Sequence, residues 1–131
     1  MRGLSLVGTL AALASVVAWP ARAEAVLLSI GFGADRIEIA ADELRAVELH
    51  LNELVPRLVV LLDDAVAPRL SALTGAHVGQ VGEIRVCGQP VSAPRLRAAI
   101  TAPSFAISDP DAGEIRHLAA VLSARDCTPG A

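Results

Sequence analysis

The sequence contains no lysine and no tyrosine, and its only tryptophan and phenylalanine residues are Trp19, Phe32 and Phe105. Domains that bind nucleic acid usually present a basic surface, with aromatic side chains on which the bases stack. Here eleven arginines stand against fourteen acidic residues, and they form no basic block. We therefore expect no nucleic acid among the partners of this protein.

Long apolar runs are missing after residue 23. Residues 3–18 form an uncharged run of about 16 residues, shorter than the roughly 20 that a membrane-spanning helix requires. Ala21-Arg22-Ala23 fits the small-x-small cleavage pattern, which predicts a signal peptide over residues 1–23. An uncleaved anchor is the alternative. Cleavage would leave residues 24–131 as a single domain, periplasmic or secreted, with no membrane span and a net charge of about −5.

Cysteine is scarce, with only Cys87 and Cys127. Because an exported chain enters an oxidising compartment, the pair predicts a disulfide. That bond would close a loop of about 41 residues, for which the loss of unfolded-chain entropy is on the order of 4 kcal/mol. The alternative is two free thiols, one semi-buried and one in a frayed tail.

Alternating apolar and polar residues predict several half-buried strands. The alternation occurs around residues 37–39, 47–51 and 83–87, and residues 25–30, AVLLSI, form an apolar strand pattern. Residues 57–62, RLVVLL, are apolar on both faces, which is typical of a central strand. After Pro94, we expect residues 95–100 to form an edge strand and residues 104–107 to form a last short strand.

Helical spacing appears twice. One helix is predicted to end at Gly75. Its start is left open, because Pro68 suits the first helical position, whereas a start from Asp63 or Asp64 would put this proline deeper in the helix. A second helix is predicted to follow Asp109 as its cap. Its apolar stripe consists of Ile115, Leu118, Ala119 and Leu122. The elements together predict an α+β two-layer sandwich, with a mostly antiparallel sheet and both amphipathic helices on one face.

Patterns that indicate catalysis or metal binding are weak. His50, His77 and His117 are far apart and lack the spacing of metal ligands. Ser92 lacks the G-x-S-x-G context of a nucleophile, and Asp63-Asp64 fits a helix start better than a catalytic carboxylate pair. Arg36 replaces the third glycine of a dinucleotide loop at GFGADR. We expect no enzyme, and no catalytic, cofactor-binding or metal-binding residues.

Three motifs occur in an order that resembles a known family. Residues 88–94 read GQPVSAP and are followed by RLRAAI, while VVLLDDAVAPRLSALTGAHVGQ precedes them and AISDPDAGEIRHLAAVL follows. This pattern is similar to the head subdomain in the first large periplasmic domain of SecD and SecDF protein-export membrane proteins, over residues 47–122. Two positions depart from the family: Cys87 stands where Asp or Asn is common, and Phe105 where glycine is common.

The resemblance implies a non-catalytic head that contacts a translocating polypeptide or an export or envelope partner. It does not carry over the proton-driven motor, since the transmembrane part is missing from this sequence. Independently, an edge strand at residues 95–100 would let Arg95, Leu96 and Arg97 bind an extended peptide. Two alternatives stay open: the arginines guard the edge against aggregation, or the chain is a structural or assembly domain of the cell envelope with no ligand.

Overall fold

The computed structural model describes residues 26–128, so the predicted signal peptide, residues 1–23, lies outside the described residues. Within them, seven strands in antiparallel sheets and two α-helices confirm the α+β class. In chain order these are β1 (Leu28–Phe32), β2 (Asp35–Ile39), β3 (Leu44–His50), β4 (Arg57–Leu62), α1 (Ala67–Gly75), β5 (Glu83–Val86), β6 (Gln89–Ser92), β7 (Ser104–Ser108) and α2 (Ala112–Ala124).

The strands are divided between two antiparallel sheets. The first has the order β2-β1-β5-β6 and the second has the order β3-β4-β7. β4 is therefore central, as its apolar sequence predicted. Helix α1 packs against β2, whereas α2 packs against β3 and β4. One hydrophobic core joins both sheets and both helices.

The core is built from residues that the alternation patterns predicted. On β4, Leu58 and Val60 are fully buried, while the alternate residues Arg57, Val59 and Leu61 are only partly buried. The stripe of α2 faces the same core, and its Ile115 and Leu122 are fully buried. Each such aliphatic side chain contributes roughly 1.5–3 kcal/mol on burial. Strand β1 is buried along its whole length, because it lies between β2 and β5.

The starts of both helices are fixed by aspartates. Asp63 accepts a hydrogen bond from the backbone N–H of Ala65 (2.9 Å) and opens a short 3-10 turn before α1. Pro68 thereby falls in the first turn of α1, where its missing N–H costs nothing. The predicted cap of α2 at Asp109 is wrong. Asp111 caps the helix and accepts from two backbone N–H groups, and Asp109 shapes the preceding turn by accepting from the N–H of Asp111 (2.8 Å).

The predicted edge strand at residues 95–100 is also wrong. β6 ends at Ser92, and the chain then leaves the first sheet. Only Arg95 forms a bridge, to Val81 in the loop after α1. The physical reason is that the segment forms hydrogen bonds with two parts of the chain that lie earlier in the sequence. These are the loop at residues 79–82 and the buried hydroxyl of Thr74.

A two-residue turn at Cys87-Gly88 connects β5 and β6. Both residues have positive φ, 52° and 80°, as a type I′ turn requires. Cys87 is joined by a disulfide to Cys127, with the two Cα atoms 5.3 Å apart, so the tail after α2 is tied to this hairpin. The Cys127 sulfur also lies 3.9 Å from the carbonyl oxygen of Val26.

Candidate functional site

A cavity of about 400 Å³ lies where the two sheets meet the segment that follows β6. Its walls come from β1, β5, β7, the end of α1 and the segment at residues 94–100. The cavity is lined mainly by apolar groups, among them Ile30, Phe32, Ile84 and Phe105. Its size falls within the roughly 300–1,000 Å³ of ligand sites in proteins.

The three residues predicted to bind peptide all line this cavity. Arg95 and Arg97 are exposed, and Leu96 is partly buried and packs against the core. Arg95 donates to the carbonyl oxygen of Gly79 (2.7 Å). Within residues 26–128, the Arg97 guanidinium makes neither a hydrogen bond nor an ion pair. The structure thus brings the three residues together at one opening, although not on a strand.

The segment beside the cavity is held at both ends. At one end, Leu96 exchanges backbone hydrogen bonds with the loop before β5: its N–H donates to the Gln80 carbonyl, and its carbonyl accepts from the N–H of Gly79, both at 2.8 Å. At the other end, the N–H of Ile100 donates to Thr74 Oγ1 (2.8 Å). Residues 97–99 between these anchors are exposed and form no backbone hydrogen bond to any other described residue.

The few polar groups in the cavity wall mostly have partners already. The fully buried Thr74 hydroxyl donates to the Leu70 carbonyl at 2.7 Å, besides accepting from Ile100. Glu83 Oε1 accepts from Arg36 (2.8 Å) and from Arg85 (2.6 Å). Arg95 and Arg97 therefore supply positive charge for a ligand, since the partner of Arg95, the Gly79 carbonyl, is uncharged.

Strand β7 forms one wall of the cavity and is an edge of the second sheet. At its two ends, Leu62 N–H donates to the Pro103 carbonyl (2.8 Å), and Asp109 N–H donates to the Pro56 carbonyl (3.1 Å). Because bonded and non-bonded pairs alternate in an antiparallel ladder, the odd-numbered residues of β7 bond to β4. The backbone groups of Ser104, Ala106 and Ser108 consequently point away from the sheet.

His77 forms a bridge between loops behind the cavity wall. Its Nε2 lies 2.8 Å from Asp35 Oδ2 and its Nδ1 lies 2.9 Å from Gln80 Oε1. The ring stacks on Phe32, with centroids 5.1 Å apart. The hydrogen bond to Gln80, followed by that to Asp35, raises the pKa of His77, because both acceptors favour the doubly protonated ring. Sequence reasoning missed this role, since Asp35, at the start of β2, is 42 residues from His77 in sequence.

Gly82 allows the close approach of Phe32 to this loop. A Cβ at position 82 would lie 2.6 Å from a carbon of the Phe32 ring and 3.1 Å from the Gly31 carbonyl oxygen. The first distance is shorter than real Cβ contacts and the second is tighter than most, so packing rather than the backbone angles favours a glycine here. The glycines of the GAHVGQVG stretch were the sequence signal for this arrangement.

The remaining candidates from the sequence lie apart from one another. His50 lies at the end of β3, 3.6 Å from Glu48 and 3.7 Å from Glu53, and His117 is exposed on α2. The three histidines therefore do not share a site. Among residues 26–128, no group of three or more His, Cys, Asp or Glu side chains is placed to hold a metal ion. Within the same range, no helix has the length and apolar character needed to cross a membrane.

The fold is similar to solved structures of SecDF. One, described as a membrane component SecDF that enhances protein export, matches with a TM-score of 0.57 and 21% identity over 68% of this chain and 41% of that chain. Another, SecDF in a super-membrane-facing form, matches with a TM-score of 0.58 and 20% identity over 72% of this chain and 13% of that chain.

The expectation of a SecD-like fold is therefore confirmed. This chain spans less than half of either SecDF chain. No protein-family model and no curated protein matches the sequence.

Proposed function

We propose that this chain is a non-catalytic binding module, periplasmic or secreted, that holds polypeptide or an envelope partner during protein export. The observation that carries the proposal is the apolar cavity bordered by Arg95, Leu96 and Arg97. The likeness of the fold to SecDF, a component described as enhancing protein export, supports the export context.

The chemistry of the cavity favours polypeptide over a small polar ligand. Sites for small ligands fix orientation with several converging polar groups. Here Glu83 and Thr74 already have partners, so the wall offers mainly apolar contact. Such a wall accepts aliphatic side chains without requiring one sequence, which suits a protein that handles many exported chains. Arg97 adds a preference for acidic neighbours of those side chains.

The export location agrees with two further features. The first is the signal peptide predicted over residues 1–23, and the second is the disulfide between Cys87 and Cys127. Disulfides persist in oxidising compartments such as the periplasm.

The test is site-specific photocrosslinking in intact cells. A photoreactive amino acid in place of Arg97 should form adducts with exported polypeptides, because this side chain lies at the cavity opening. The same amino acid in place of Arg116, an exposed residue of α2 outside the cavity wall, is the matched control. Equal adduct yields at the two positions, or no protein adduct at position 97, would contradict the proposal.

A second candidate function is an assembly domain without a ligand of its own. It is favoured by exposed apolar side chains at the end of β3 and in its connection to β4, where Leu54 is fully exposed and Leu49 and Val55 are nearly half exposed. Light scattering on the purified domain separates the two functions. Self-association that Leu54→Asp abolishes would support assembly, whereas a monomer that still crosslinks to polypeptide at position 97 would support the binding module.

A further inference from the structure

We infer that a polypeptide bound at this cavity adds to β7 as a further strand of the second sheet, with alternate side chains entering the cavity. This inference rests on the proposed function and specifies how the polypeptide is recognised. In strand addition, the protein recognises mainly the backbone of the bound polypeptide rather than a particular sequence of side chains.

The backbone of β7 offers the hydrogen-bonding groups that such a strand requires. Ser104, Ala106 and Ser108 direct their N–H and C=O groups away from β4, as the register shows. None of these groups has a hydrogen-bond partner within the described part of the chain. The cavity borders Ser104–Ala106, so there is open space next to two of the three residues.

The other three sheet edges each have a local obstacle to strand pairing, and among the four edge strands only β7 lines the cavity. Arg69 on α1 donates to the Glu38 carbonyl on the β2 edge (3.2 Å). Arg125 after α2 donates to the carbonyls of Leu44 and Arg45 on the β3 edge (2.8 and 2.9 Å). The β6 edge contains Pro90, which has no N–H to offer. Proteins usually protect sheet edges because open ones pair with other chains, so an unprotected edge beside a cavity suits a binding role.

The side-chain pattern of the incoming strand follows from the same register. Residues opposite each other in neighbouring strands project to the same face of a sheet. A residue opposite Phe105 therefore faces the core side and the cavity, whereas residues opposite Ser104 and Ala106 face the other side. We expect an extended segment with aliphatic residues at alternate positions, which face the cavity, and polar or acidic residues between them, which face the other side of the sheet. Phe105 itself replaces the glycine common in the resembled family, so this chain adds a ring to the cavity wall.

The probe is a fluorescein-labelled ten-residue peptide of alternating valine and glutamate, with binding followed by anisotropy. Only the valines suit the apolar cavity, so they should lie opposite the odd-numbered residues of β7, such as Phe105, and the glutamates opposite the even-numbered ones. Two further peptides carry N-methyl groups either on all valine amides or on all glutamate amides. In an antiparallel strand the glutamate amides face β7, and in a parallel strand the valine amides do. We expect one methylated series, and not the other, to lose affinity at least tenfold.

A protein variant provides a second readout. Ala106→Pro removes one outward N–H and leaves the ladder to β4 intact, since Ala106 does not bond to β4; Ala106→Ser is the matched control. The proline should weaken the unmethylated peptide about fivefold, the equivalent of one hydrogen bond of about 1 kcal/mol. Thermal melts followed by circular dichroism confirm that both variants fold.

The outcomes separate the inference from the proposed function. If the unmethylated peptide and a labelled, urea-unfolded secretory protein diluted into buffer both fail to bind, the proposed function is wrong. If the unmethylated peptide binds but both methylated series bind equally well or equally poorly, strand addition alone is wrong. A dimer of the isolated chain that Ala106→Pro dissociates would also overturn the inference, because β7 would then pair with a second copy.

Discussion

Substitutions of Cys87 and Cys127 test two physical effects, the cross-link between the two residues and the left-handed backbone conformation at position 87. The bond joins residues 40 positions apart, and a loop of that length corresponds to about 4 kcal/mol of lost unfolded-chain entropy. In addition, Cys87 has a φ of 52°, a left-handed conformation that costs most residues roughly 1–2 kcal/mol and asparagine less. Replacing both cysteines by serine should therefore lower the free energy of unfolding by about 4 kcal/mol. Replacing Cys87 by asparagine and Cys127 by serine should recover about 1 kcal/mol of that loss.

The assay is urea unfolding followed by far-UV circular dichroism without reductant. Reductant should lower the stability of the wild-type protein to that of the double-serine variant, and should leave the variant unchanged. A double-serine variant within 1 kcal/mol of the wild type would refute the loop-entropy argument. An asparagine variant no more stable than the serine variant would refute the argument from the turn. A loss of about 4 kcal/mol is large against the roughly 5–15 kcal/mol net stability of small domains.

Three other substitutions test the loops and the helix start. Because hydrogen bonds to Gln80 and then Asp35 raise the pKa of His77, its stabilising contribution is full below about pH 6.5 and is lost as pH rises through the raised pKa. His77→Gln should therefore lower the melting temperature more at pH 5 than at pH 9, and an equal effect at both would contradict this. Gly82→Ala should destabilise the fold by about 1–3 kcal/mol in urea unfolding, because the new Cβ meets the neighbouring phenylalanine ring; an unchanged midpoint would refute the packing argument. Asp111→Ala should cost about 1 kcal/mol by removing the α2 cap, and an Asp109→Ala variant that loses more would contradict the cap assignment.

The local elements could be predicted well because their signals are local. The apolar run at residues 57–62 is β4, and the four stripe residues of α2 are all buried. The cysteine count and the export signal predicted the disulfide that the structure contains. The fold class followed from the order of these elements, and the motif order pointed to the SecD-like fold. For the strand and the helix, neighbouring residues alone carry the pattern.

The candidate site could be predicted only in part, because its geometry depends on distant contacts. Residues 95–100 have an extended, proline-flanked sequence, yet the loop at residues 79–82 and the Thr74 hydroxyl hold them outside either sheet. Nothing near Thr74 in sequence indicates that it bonds Ile100. Which edge strand borders the cavity also depends on tertiary structure, because the cavity joins β7 to β1, β5 and residues 94–100.

The proximity of Val26 to Cys127 has a consequence for protein engineering. The described polypeptide enters and leaves the domain at nearly the same point, with 3.9 Å between the Val26 carbonyl oxygen and the Cys127 sulfur. Domains with adjacent ends tolerate transplantation into a surface loop of a host protein, and they tolerate circular permutation. We therefore expect that this domain can be inserted into a surface loop of an unrelated protein through short linkers. A short linker joining its two ends should also allow circular permutation, with new termini in another loop.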